Sequence, residues 1–299
     1  MVNTAAPMID TIDMEVIMHR DAHFGGSFDE MLNYYMQQGV GKMPDFEIDQ
    51  MLRLQTLEKE LGENLFDTYL PDPAKEQVRA AKKMYQDLRD VYTDPQATQE
   101  SKLLSDLILS EEELPEKEIE AIVKEGKEIV PTLIYLLSSA TFYEPLNPGY
   151  GRSPIFVAKC LAEIQDDRAI PPLFEALGQD NFFTDEEIIK ALASFGERSK
   201  SFLIKRLQSI PFSNDNEYAA IALSGFADDP DIARASLELL EKEETLKTPL
   251  FASYLVFACS SLAKPDEKER FINITKKEAL PKTIFEEMKI VIKNWPKTV

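Results

Sequence analysis

The stretch from Glu128 to Leu262 repeats one apolar pattern, and a repeat of this kind narrows the fold more than any other feature of the chain. Its copies are Val130, Leu133, Ile134, Leu137; then Ile170, Leu173, Phe174, Leu177; then Leu203, Ile204 and Leu207 with Lys200 in first place; then Ala233, Ser236, Leu237, Leu240. The i, i+3, i+4, i+7 spacing sets four side chains on one helix face. A second helix of the same spacing follows each copy: Val157, Cys160, Leu161, Ile164; Ile188, Ala191, Leu192, Phe195; Ala219, Ala222, Leu223, Phe226; and Leu255, Ala258, Cys259, Leu262. Leu161, Leu192 and Leu223 are 31 residues apart twice over (192 − 161 and 223 − 192). Helix pairs at that period predict an all-α chain wound as a right-handed α-solenoid, with atypical helices capping its ends.

The junction Cys160-Leu-Ala-Glu-Ile-Gln-Asp-Asp-Arg-Ala-Ile-Pro-Pro-Leu-Phe-Glu-Ala-Leu177 resembles the HEAT-like repeat family. Asp166, Asp167 and Pro171 stand where that family has an Asp turn and an early helix Pro. An Asp before a helix accepts bonds from its free N–H groups, and Pro is tolerated in the first turn. The later junctions, Phe195-Gly-Glu-Arg198 and Phe226-Ala-Asp-Asp-Pro230, are weaker matches. The resemblance covers about half the chain and implies a fold rather than an activity. Some HEAT-like families are enzymes. The metal-dependent hydroxylases need repeated His-Glu pairs, which are absent. The DNA glycosylases use a basic groove with tryptophans, whereas Trp295 is the sole Trp and lies at the far end. The bilin-lyase relatives have short sites that do not stand out from the scaffold.

Charge bears on partners. The formal net charge is −20; residues 1–110 carry 10 basic and 20 acidic side chains, residues 111–245 carry 13 and 27, and residues 246–299 carry 10 and 6. An acidic surface repels phosphate backbones, so no nucleic acid is expected as a partner. A protein is expected, and a basic one matches the charge. Cys160 and Cys259 both fall on apolar helix faces, as core cysteines do, and two cysteines make neither a disulfide framework nor a zinc set. The first 25 residues lack a signal-peptide core, and the most apolar run, 250–263, is too short to span a bilayer. These features suit a cytoplasmic protein with no membrane partner.

In chain order, residues 1–26 show no clean period and read as a flexible arm. Ser27 and Glu30 make a capping-box match before an apolar face of Phe28, Met31, Leu32, Tyr35 and Met36. Further helices are expected from near Asp45, with Leu54, Leu57, Leu61 and Leu65 inward and Gly62 as a possible break, then over Ala74–Leu88 and around Leu103–Ile108. Residues 27–110 thus read as a helical N-terminal cap, 111–265 as repeats opened by an acidic linker, and 266–299 as closing helices.

Leu137 to Leu177 spans 40 residues, whereas Leu177 to Leu207 spans 30; the surplus lies in the Pro- and Gly-rich loop 138–153. Solenoid insertions project on one face, often the binding face. Phe142, Phe182 and Phe212 each follow a closing leucine by five residues, and Tyr143 and Phe183 double two of them. Phe142, Tyr143, Tyr150, Phe182, Phe183 and Phe212 are therefore the candidate partner-binding residues, with edge packing as the competing role.

No motif spells out a reaction. His19-Arg-Asp21 matches part of the kinase catalytic loop without its companions, and no nucleophile elbow, phosphate loop or dinucleotide fingerprint is present. His19 and His23, the two histidines, are a conceivable metal half-site, but two ligands do not make a site. No catalytic residue, cofactor or metal is expected. The expected function is a protein-binding scaffold or adaptor; the alternative is an enzyme or accessory factor of the lyase-related HEAT-like type.

Overall fold

The computed structural model describes residues 9–37, 39–178, 182–226, 228–277 and 280–295. Among them every regular element is helical, and none is a strand. No helix among them is long and apolar enough to cross a membrane. The chain divides into two compact units, Met1–Cys160 and Leu161–Val299.

The first unit holds α1 (Thr11–His23), α2 (Phe28–Met36), α3 (Ile48–Leu61), α4 (Leu65–Tyr69), α5 (Asp72–Asp90), α6 (Gln99–Leu109), α7 (Glu116–Lys124), α8 (Val130–Ser138) and most of α9 (Ser153–Ile164). Helix α1 overturns the expected flexible arm for residues 9–26. Asp10 caps it, accepting from the Asp13 N–H, and Asp13 accepts in return from the Asp10 N–H. Its inner face mixes Val16 and Ile17 with buried Asp13, His19, Arg20 and Asp21, so no apolar period marks it. Val16, Met31, Tyr35, Met51, Leu54 and Leu65 share one core. Ser27 caps α2 as expected, 3.2 Å from the Glu30 nitrogen. Gly62, at φ 65°, ends α3 in the left-handed region, so Leu65 belongs to a separate short helix.

The second unit holds α10 (Ile170–Glu175), α11 (Phe182–Ser194), α12 (Glu197–Leu207), α13 (Asn214–Leu223), α14 (Pro230–Leu240), α15 (Pro249–Ala258), α16 (Pro265–Ile274) and α17 (Lys282–Asn294). Each repeated apolar pattern of this region starts on its own helix, with Leu177, Phe195, Phe226 and Leu262 lying just past the helix ends. Helices pack within the pairs α10–α11, α12–α13 and α14–α15, and α11, α13, α15 and α17 pack in succession. Leu173, Leu192, Leu203, Leu223, Leu237 and Leu255 are all buried. Lys200, the polar exception in the pattern, reaches Asp229 at 2.9 Å and Glu197 at 2.7 Å. Asp229 also caps α14, so one carboxylate serves a helix end and a buried lysine together. Cys160 and Cys259 are both buried, and burial pushes the Cys259 thiol up, away from reactivity.

Candidate functional site

The loop 138–153, read as a projecting insertion, instead folds onto α1 within the first unit. A one-turn helix, Ala140–Tyr143, opens it, and the Tyr143 hydroxyl donates to the Leu137 carbonyl at 2.8 Å. Asn147 Nδ2 donates to the Thr141 carbonyl at 2.9 Å. Gly151 (φ 73°) makes the return possible: a Cβ there would meet the Tyr143 oxygen at 2.5 Å. The backbone then delivers Pro145 and Tyr150 to the histidines.

His23 Nε2 lies 3.1 Å from the Pro145 carbonyl, and its Nδ1 lies 2.8 Å from the Tyr85 hydroxyl on α5. A carbonyl only accepts, so Nε2 carries the proton and Nδ1 accepts from Tyr85, which is the neutral tautomer. The Tyr150 ring stacks obliquely on His23, centroids 4.6 Å apart, and His19 lies 4.3 Å from His23. Gly41 leaves room for this ring, since a Cβ would fall 2.3 Å from it. Tyr34 and Tyr150 then share one carboxylate. The Tyr34 hydroxyl donates to Glu111 Oε2 at 2.8 Å and that of Tyr150 to Oε1 at 3.1 Å, while the Gly41 N–H donates to Tyr34. Arg152 fastens the end of the loop, donating to the carbonyls of Glu112 and Glu113 at 2.7 and 2.8 Å. The acidic run 110–118, expected as a linker, is thus an anchor.

Burial governs the electrostatics. It holds His23 down to about 4, against a weaker upward pull from the Pro145 carbonyl. It holds His19 well below the ordinary value, helped by repulsion from His23. His19 Nε2 has no hydrogen-bond partner among the described residues. Burial raises Tyr34, Tyr85 and Tyr150, so all three phenols stay protonated, and lifts Tyr35 to about 12. Beside this centre, Arg20 is fully buried. It pairs with Asp21 at 2.6 Å and Glu58 at 2.8 Å, and its guanidinium lies 4.4 Å from the Phe28 ring centroid. Among the described residues no group of three or more His, Cys, Asp or Glu could hold a metal. What the arrangement does chemically is latch the loop to α1, α2 and α5 through neutral histidine and tyrosine side chains, and to the segment 111–113 through the Glu111 carboxylate and the Arg152 guanidinium.

The six sequence candidates therefore separate. Tyr150 is at the heart of the latch, Tyr143 braces the loop, and Phe142 is half-buried in the same unit. Of the second unit's candidates, Phe212 is half-buried with its ring 6.1 Å from Phe251, and Phe183 is 69 % exposed. The Phe182 side chain lies outside the described residues. Sequence reasoning missed Tyr34, Tyr85 and Glu111, which come from three separate segments and share no local spacing.

It also missed two exposed aliphatic residues. Ile210, 79 % exposed, precedes α13, and Leu250, 56 % exposed, is in the first turn of α15. Phe183 holds the same place in the first turn of α11 as Leu250 does in α15, whereas Ile210 lies four residues before Asn214, in the connection into α13. No family model matches the sequence, and no curated protein sequence matches it.

Proposed function

We propose that the chain is a non-catalytic scaffold that binds a protein partner along HEAT-like helix pairs, wound as a right-handed superhelix. The observation that carries the reading is a large exposed apolar side chain at the same place in the first turn of α11 (Phe183) and of α15 (Leu250), with Ile210 exposed in the connection that leads into α13. Equivalent positions of stacked pairs share an edge. Large exposed side chains recurring there are suited to anchoring a partner. The acidic balance of the repeats favours a basic partner and opposes nucleic acid.

The test is a triple variant, Phe183→Ser, Ile210→Ser, Leu250→Ser, purified at native abundance beside the wild type. A stoichiometric protein that accompanies the wild type and is lost from the variant, with the melting temperature unchanged, supports the scaffold. A partner retained by the variant, or a tightly bound small molecule in place of a protein, overturns it in favour of a lyase-related role.

A further inference from the structure

A cleft of about 250 Å³ opens in the second unit where α13, α14 and α15 meet. Its volume lies below the roughly 300–1,000 Å³ of pockets that take drug-sized ligands, so its scale suits a single side chain. Ala220, Leu223 and Leu255 are buried and form an apolar floor. The rim is different. Asp228 is exposed, Tyr254 is half-buried, and Phe257 is 50 % exposed. Tyr254 and Phe257 are three apart on α15 and therefore neighbours on its surface.

The field in the cleft is negative for three separable reasons. Asp228 places a carboxylate at the rim, accepting one bond from the Ser261 hydroxyl at 3.3 Å and keeping capacity for more. Helix α13 ends there at Leu223, and α15 passes at Ala258 into the one-turn helix Cys259–Ser261; their last carbonyls accept from the following N–H groups, so the two C-termini add only a weaker negative contribution to the same space. The opposing N-terminus, that of α14, is already served: Asp229 accepts from the N–H groups of Asp231 and Ile232 and pairs with Lys200. An apolar stem, a planar cation and an aromatic rim then describe one occupant. Arginine combines a methylene stem that buries well with a guanidinium that stacks on rings and forks onto a carboxylate.

From this we infer that the cleft between α13, α14 and α15 is an arginine pocket: it takes an arginine side chain presented by a basic protein partner. The inference rests on the scaffold reading and names the chemistry of its partner. The surrounding charge, 13 basic against 27 acidic side chains over residues 111–245, steers such a partner in.

The probe is N-acetyl-arginine amide, titrated into the full chain and followed by amide chemical shifts, with N-acetyl-citrulline amide and N-acetyl-lysine amide as controls. Saturable shifts confined to residues 223–228 and 254–261 are expected with the arginine probe, and none with the neutral citrulline. Asp228→Asn should weaken binding by about tenfold or more, because a charge-assisted bond becomes an ordinary one. Asp228 sits at φ 43°, a conformation that Asn tolerates, so the variant keeps its backbone. Phe257→Ser, at an exposed position, should weaken binding as well. Unsaturable shifts scattered over the acidic surface, equal binding by Asp228→Asn, or a lysine probe as tight as arginine would each overturn the pocket. If the arginine probe fails while the Phe183, Ile210, Leu250 variant still sheds its partner, the pocket is wrong and the scaffold stands. If the probe binds while no protein partner is found, the scaffold falls instead.

Discussion

Helix α1 buries Asp13, His19, Arg20 and Asp21 beside Val16 and Ile17, whereas α14 buries Ile232, Ala233, Ala235, Leu237, Leu239 and Leu240 with Ser236 as its polar member. The two helices stand for their units. In the second unit the core is held mainly by apolar contact, which is non-directional and follows buried area. In the first, a buried aliphatic core is overlaid by charges and rings that must meet at particular distances, because an unpaired buried polar group is costly. The lesson is that a helical chain can combine one region specified by period and another specified by geometry.

The largest effect should come from putting a charge into the apolar region. Leu192 is fully buried on α11. Leu192→Asp should lose more than about 5 kcal/mol, since truncating a core leucine costs ~2–5 kcal/mol and an unpaired buried carboxylate adds to it. Denaturant melts followed by circular dichroism measure this directly. A midpoint close to wild type would mean that the helix pairs are not held by the face assigned to them.

Arg20→Met strikes the polar region in the opposite sense, by removing a charge. Asp21 would lose its 2.6 Å partner and Glu58 its 2.8 Å partner, leaving Lys82 at 3.7 Å as the cation near Asp21. Breaking a buried pair by removing one member costs ~3–5 kcal/mol. Adding Glu58→Gln should restore part of the loss. Two losses that simply add would show that the residues do not work as one network.

The same contrast explains what could be read in advance. The helices of the repeat region are legible because their buried faces are apolar at the helical period, down to the Lys200 position, where the exception is answered by Asp229 29 residues on. Helix α1 is illegible by that signal, since Arg20 and Asp21 carry no apolar mark. The latch is illegible for another reason: His23 meets Pro145 across 122 positions, and Tyr34 meets Glu111 across 77. No periodicity encodes such a meeting. Tyr150 was singled out from its loop, but its partners were not. Ile210 and Leu250 are illegible for a third reason: a single exposed aliphatic residue carries no mark in the sequence that separates it from a buried one.

Acid should separate the regions more gently. His23 titrates near 6.5 when unfolded and is held down to about 4 in the fold. The unfolded chain therefore binds the proton first as the pH falls, so this contribution is complete above about 6.5 and is lost progressively toward 4. For His23 the loss is on the order of 3 kcal/mol, with His19 acting in the same direction. Stability measured across this window should fall, and His23→Gln should flatten the slope. An unchanged slope in that variant would take the histidine out of the latch.

The smallest expected effect bears most directly on function. Phe183 and Phe212 both lie near the starts of second helices, α11 and α13, but they differ in burial: Phe183 is 69 % exposed, and Phe212 is half-buried beside Phe251 and 5.7 Å from Lys242 Nζ. Phe212→Ala gives up an aromatic pair worth ~0.5–1.5 kcal/mol together with part of the ring's buried area, so a loss of about 1–2 kcal/mol is expected. Phe183→Ala gives up little covered surface and should stay within about 0.5 kcal/mol of wild type. If Phe183→Ala instead costs several kcal/mol, its ring closes the edge as core, and the anchoring role passes to Ile210 and Leu250 alone. If both variants are neutral, Phe212 is also free to face a partner, and the binding edge is wider than the three exposed side chains. The ordering of these two small numbers thus decides how much of the edge is structure and how much is surface offered for recognition.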